Sequence, residues 1–77
     1  MSTLKQINRA IAKAGIPVEL ERGEGYHYFI YDNEERGVYE TVSYMVCYTN
    51  SVPLERWIAW AQEAYDDIIG SLNTALE

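Results

Sequence analysis

The chain has one cysteine, Cys47, and one histidine, His27, in 77 residues. A lone thiol makes no internal disulfide, which points to a reducing, cytoplasmic setting. One His and one Cys, without CxxC or HxxxH spacing, do not make a zinc site. A Ser-His-Asp or Cys-His arrangement needs the histidine beside a nucleophile and an orienting acid. Nothing in the spacing brings Cys47 and a carboxylate to His27, so His27 reads as a packing or surface residue of a strand. No apolar run approaches the roughly 20 residues of a membrane span. Residues 1–6 lack the uncharged stretch of a signal peptide. Basic residues are scarce: six against twelve acids, a net charge of −6. A general nucleic-acid binder needs the opposite balance to displace counterions. Gly23-Glu24-Gly25 lacks the longer glycine spacing and following lysine of a phosphate loop.

What is present is apolar and aromatic. A hydrophobic fraction of 48% with 23% charged residues is that of a folded chain. At this length one domain, residues 1–77, is expected, with a single core supplying nearly all the stability. The richest stretch is Gly23 to Tyr31. Two glycines bracket Glu24 in a turn, and of the six residues from Tyr26 to Tyr31 four are aromatic and Ile30 is β-branched. That composition suits a half-buried strand.

Thr3 and Gln6 stand at capping-box spacing, so a helix is expected from Leu4. Leu4, Ile7, Ile11 and Ala14 form its buried stripe. Gly15 supplies a left-handed C-terminus, Ile16 folds back, and Pro17 blocks continuation. Lys5, Arg9 and Lys13 make a row on the opposite side, readable as a solvated face or a docking stripe. Residues 1–18 carry three basic and no acidic side chains; the remainder carries three basic and twelve acidic ones. The molecule is electrically two-sided.

Val18 to Arg22 alternates as a strand does, Gly23-Glu24-Gly25 turns the chain, and Tyr26 to Tyr31 returns it. Asp32 to Gly37 is a polar turn. Val38 to Thr49 reads as a third strand with Val42, Tyr44, Val46 and Tyr48 on one face, its first residues, 38–41, open to being irregular or a helical turn. Asn50-Ser51-Val52-Pro53 breaks it and starts a second helix. Leu54, Trp57, Ile58, Ala61, Tyr65, Ile68 and Leu72 share one side of that helix. Gly70 either ends it or lies within it. The pattern implies an α+β two-layer sandwich, αβββα, with a three-stranded antiparallel sheet. One sheet face has no layer to cover it.

Paired acids, Glu34-Glu35 and Asp66-Asp67, raise a glycosidase reading, but that chemistry needs carboxylates across a sugar-sized cleft. A turn and an exposed helix face do not provide one. No catalytic residue, cofactor or metal is expected. The aromatic residues carry more information. Tyr26, Tyr28 and Ile30 share one strand face; His27, Phe29 and Tyr31 share the other. Trp57 falls near the helix stripe and Trp60 well to its side. Exposed Tyr and Trp give large contact area at low entropic cost, while edge-of-core packing with a wet polar tip is the plainer alternative. The expected contact surface is Tyr26, Tyr28 and Trp60 as anchors, with Glu34, Glu35, Glu55, Glu63, Asp66 and Asp67 facing a basic partner protein. The alternatives are a homodimer or assembly subunit that buries the aromatic face, and a weak nucleic-acid contact through Lys5, Arg9 and Lys13.

The run Leu4 to Asn8, then Ala14-Gly15-Ile16, Glu19 to Tyr26, Tyr28-Phe29 and Leu54-Glu55-Arg56-Trp57 resembles small uncharacterised proteins of bacteriophages, prophages and plasmids. The shared marks are the opening helix, the Gly-Glu-Gly-Tyr turn and a Leu-Glu-x-Trp segment. The resemblance implies an accessory protein of a mobile element acting in a bacterial cytoplasm, and attaches no activity. By analogy of size and charge with anti-CRISPR and anti-restriction proteins, it implies an inhibitor of a host defence or nucleic-acid-handling protein.

Overall fold

The computed structural model describes residues 3–76, with side chains through Leu72. The elements are α1 (Leu4–Lys13), β1 (Glu19–Arg22), β2 (His27–Asn33), β3 (Val38–Tyr44), a 3-10 turn (Thr49–Ser51) and α2 (Leu54–Leu76). The strands form an antiparallel sheet in the order β1-β2-β3. The fold is α+β with αβββα topology, as the alternation of patterns implied.

α1 begins and ends as its sequence dictates. The Thr3 hydroxyl accepts from the Gln6 amide at 3.2 Å, and the Gln6 side chain accepts from the Thr3 amide at 2.9 Å. At the other end Gly15 takes φ +78°. Its N–H donates to the Ala12 carbonyl, and that of Ile16 donates to Ile11. This is a Schellman closure, with Ile16 and Ile11 both buried as its hydrophobic contact. Ala14, expected in the buried stripe, is the C-cap and is exposed. Asn8 is the unforeseen residue. Its amide donates to the Leu20 carbonyl at 2.9 Å and its oxygen accepts from the Leu20 N–H at 2.6 Å. A helix side chain thereby satisfies the outer edge of β1.

β2 runs two residues past its expected end, through Asn33. The turn is then only residues 34–37, with Gly37 at φ +66° and its N–H on the Glu34 carbonyl. That tight closure puts Val38 opposite Asn33 and makes residues 38–41 regular strand. The expected strand up to Thr49 is corrected in the other direction: β3 stops at Tyr44. The reason is its partner. Tyr44 pairs with His27, the first residue of β2, so nothing remains for residues 45–49 to pair with. The Val46 N–H turns back to the Tyr44 carbonyl at 2.8 Å and bends the chain away. Val46 still packs on the core, but Tyr48 is 65% exposed instead of sharing the apolar face.

α2 is held at its start by the Pro53 carbonyl, which accepts from the Arg56 and Trp57 amides. The Trp57 indole donates to the Thr49 carbonyl at 2.9 Å and ties the 3-10 turn to the helix. The helix continues through Gly70 to Leu76. The core gathers Ile7, Ile11, Ile16, Leu20, Phe29 and Trp57, with Ala61, Ala64 and Ile68 giving α2 a close approach. No helix among the described residues is long and apolar enough to cross a membrane.

Candidate protein-contact surface

Register decides which side chains can act together. Leu20 pairs with Phe29 and Phe29 with Val42, while His27 pairs with Tyr44. These share the helix-covered face. Glu21, Tyr28 and Ser43 are in line across the strands, as are Glu19, Ile30 and Thr41, and Asp32 lies opposite Tyr39. This second set faces away from the helices and is the open face.

The Gly23–Gly25 turn supports that face. Gly25 takes φ +77°, which glycine tolerates freely. A β-carbon on Gly23 would stand 2.5 Å from the Tyr26 ring, so the missing side chain is what lets Tyr26 fold over the turn. The Gly23 N–H donates to the Tyr26 carbonyl at 2.8 Å. Tyr26 is thereby placed 5.8 Å, ring to ring, from Tyr28. Tyr26, Tyr28 and Ile30 are half-buried, and Tyr39 is 63% exposed. An open depression of about 510 Å³ leads from this face around the β1 edge, its walls including Pro17, Glu19, Ile30, Asp32 and Tyr39. Carboxylates therefore border an apolar floor. No lysine or arginine belongs to the open-face rows.

The expected contact residues divide into two groups that the fold keeps apart. Tyr26 and Tyr28 are on the open face, with Glu34 and Glu35 exposed in the turn at one end of the sheet. Glu55, Glu63, Asp66 and Asp67 are exposed on α2, in the other layer. Trp60 is also there, and it is not a free anchor. It is half-buried, stacked on Tyr44 at 4.9 Å and edge-on to Trp57 at 5.3 Å. Its position beside the stripe, which hinted at exposure, is where β3 approaches the helix. Ile30 shares the open face with Tyr26 and Tyr28, as the alternation implied, and the residues that join it without having been foreseen are Glu19, Glu21, Asp32 and Tyr39. Tyr39 was hidden because residues 38–41 had no clear pattern of their own.

The inner aromatics are structural. Phe29 and Trp57 are fully buried, and His27 is 1% exposed. The His27 Nδ1 donates to the Val46 carbonyl at 2.6 Å, since a carbonyl can only accept. An open cavity of about 370 Å³ does bring His27 and Cys47 to one lining, beside Arg22 and Thr49. Among the described residues no carboxylate lines it, and the Cys47 thiol donates to the Gly25 carbonyl at 3.2 Å. The arrangement lacks the orienting acid of a triad. Among the described residues no group of three or more His, Cys, Asp or Glu is placed to hold a metal. Comparison with protein-family models, with curated proteins and with solved structures found no match.

Proposed function

We propose that this protein works by surface contact, as a non-enzymatic acidic module that binds a basic protein through the open face of its sheet. The observation that carries the reading is the uncovered strip Tyr26, Tyr28, Ile30 and Tyr39, bordered by Glu19, Glu21 and Asp32. Tyrosines on a rigid sheet supply anchors with little entropy left to lose. The bordering carboxylates steer a cationic partner and reject an anionic one. The narrower version is an inhibitor, encoded by a phage or other mobile element, of a host defence or nucleic-acid-handling protein in the bacterial cytoplasm. It draws on the same acidity, because nucleic-acid sites are basic, and on the likeness of the opening helix and Gly-Glu-Gly-Tyr turn to mobile-element proteins.

Self-association through this face is the rival reading. It would set Glu19, Glu21 and Asp32 of one copy near those of the other with no cation between them, which disfavours it. Affinity capture from the native host separates the two, using wild type, Tyr28→Ser/Tyr39→Ser, and Glu19→Lys/Glu21→Lys. A basic protein held by wild type, released by salt and lost from both variants at unchanged melting temperature is the expected result. An identical captured set from all three defeats the proposal. Sedimentation of wild type as a dimer that both variants abolish would replace it with the rival.

A further inference from the structure

The two edges of the sheet are finished differently. At β1 the Asn8 side chain occupies both the N–H and the C=O of Leu20. At β3 no described segment pairs with the outer edge. Alternate residues of β3 therefore turn N–H and C=O groups outward with no strand to receive them. Natural edges are usually blunted by charged side chains, lysine above all, by proline, a bulge or a cover. Val38-Tyr39-Glu40-Thr41-Val42-Ser43-Tyr44 carries no lysine or proline and pairs with β2 in unbroken register. Its one charge is Glu40, on the helix-facing side, and that carboxylate selects a basic strand over an acidic one. It is rich in the β-branched and aromatic residues that favour strand pairing.

Beside this edge lies a groove of about 190 Å³ between β3 and α2. Thr41, Val42, Ile68 and Leu72 contribute to its lining, with Glu40 and Asp67 as its charges. Glu63 lies one helical turn before Asp67. Both carboxylates act on the Tyr44 phenol and, after burial, help raise its pKa. No lysine or arginine lines the groove.

We propose that the outer edge of β3 accepts an extended, lysine- or arginine-bearing segment of a partner protein as a fourth strand. Main-chain hydrogen bonds to β3 supply the pairing, and basic side chains on the helix-facing side meet Glu40, Glu63 and Asp67. The inference rests on the reading of a basic partner, and adds to it a second site and the conformation of the bound segment. A second copy of this chain is a poor occupant. Pairing β3 with β3 would bring Glu40, Glu63 and Asp67 of both copies to one seam, and the chain's own cationic row is on a helix, α1.

The test is an amide-resolved NMR titration with a short peptide of alternating lysine and valine. Controls are the peptide with glutamate for lysine, and two forms N-methylated along one edge or the other. The lysine peptide should shift amides of residues 38–44 together with Glu63 and Asp67, and should weaken with salt. One N-methylated form should lose binding and the glutamate peptide should not bind. Asp67→Lys, on the exposed helix surface, should weaken binding about tenfold. The proposal is overturned if the lysine peptide shifts no amide, if both methylated forms bind like the parent, or if the shifts fall on Glu21, Tyr28 and Ile30 instead. It is also overturned if residues 38–44 shift with protein concentration alone, which would assign the edge to a second copy. In each case capture through the open face is measured separately, so the edge can fail while the basic-partner reading stands.

Discussion

Strand β2 has two faces with nearly the same composition and different fates. His27, Phe29 and Tyr31 point at the helices and are all buried; Tyr28 and Ile30 point away and are half-exposed, with Tyr26 beside them in the turn. Side-chain size does not decide the outcome, since both faces carry aromatic rings. What decides it is which parity α1 and α2 cover. The inner rings interlock: Phe29 stands edge-on to Tyr44 at 5.4 Å and to Trp57 at 6.3 Å, and His27 meets Trp57 at 5.5 Å. On the outer side, the ring pair among the described residues is Tyr26 with Tyr28, and Tyr26 also folds over Gly23. One strand therefore divides its aromatic residues between holding the fold and presenting a surface.

Paired truncations give the largest expected contrast. Phe29→Ala removes a fully buried ring at the middle of the sheet and should cost about 3–5 kcal/mol. A domain this small has only about 4–12 kcal/mol in total, so much of the population should unfold. Tyr28→Ala, one residue away, should cost no more than about 1 kcal/mol while abolishing partner capture. Urea denaturation of the two variants checks this. Equal losses would mean that the outer face is core after all, and would break the division of labour argued for it.

The division itself was legible in the sequence, because period-2 alternation from Tyr26 to Tyr31 separates the two sets whichever way the strand faces. So were α1, through Thr3, Gln6 and Gly15, and the apolar side of α2. Which set faces outward was not legible, since aromatic residues fill both. Nor was the grouping of the acids. Glu19 and Glu21 join Tyr28 and Ile30 only through cross-strand register, and that register depends on the four-residue connection at 23–26, one residue longer than the Gly-Glu-Gly turn itself. Trp60 misled because helix geometry places it beside the stripe, and only the approach of Tyr44 on β3 closes that flank. Asn8 gave no local signal at all. A polar residue on a helix declares itself as an edge cap only when the strand it serves is in view.

Asn8 sharpens the comparison from the side, where the sheet ends instead of turning a face. Asn8→Ala leaves the N–H and C=O of Leu20 without their side-chain partner. That should cost about 1–3 kcal/mol, well above a typical surface substitution. It should also open β1 as a second free edge, visible as faster hydrogen exchange at the Leu20 amide than in wild type. Unchanged exchange there would show that the edge does not need the cap, and that the contrast between β1 and β3 carries no weight.

The smallest effect is expected where the covered face meets solvent. Tyr44 belongs to the helix-covered set but is only half-buried, and its hydroxyl points toward the Trp60 carbonyl at 3.5 Å, too long to contribute much. Tyr44→Phe should therefore be nearly neutral at pH 7. At alkaline pH it should matter. Burial first, then the charges of Glu63 and Asp67, raise the phenol above its ordinary 10.0. The native state thus holds this proton more tightly than the unfolded chain does. Below the unfolded value both states are protonated and the contribution is fully present. As pH rises past it the unfolded chain releases the proton first, and stability falls until the native phenol ionises too. Tyr44→Phe should flatten that fall in melting temperature above about pH 10, and Glu63→Gln should flatten it less. A slope that Tyr44→Phe leaves unchanged would place the phenol in open water, and with it would go the claim that the acids of α2 overhang β3.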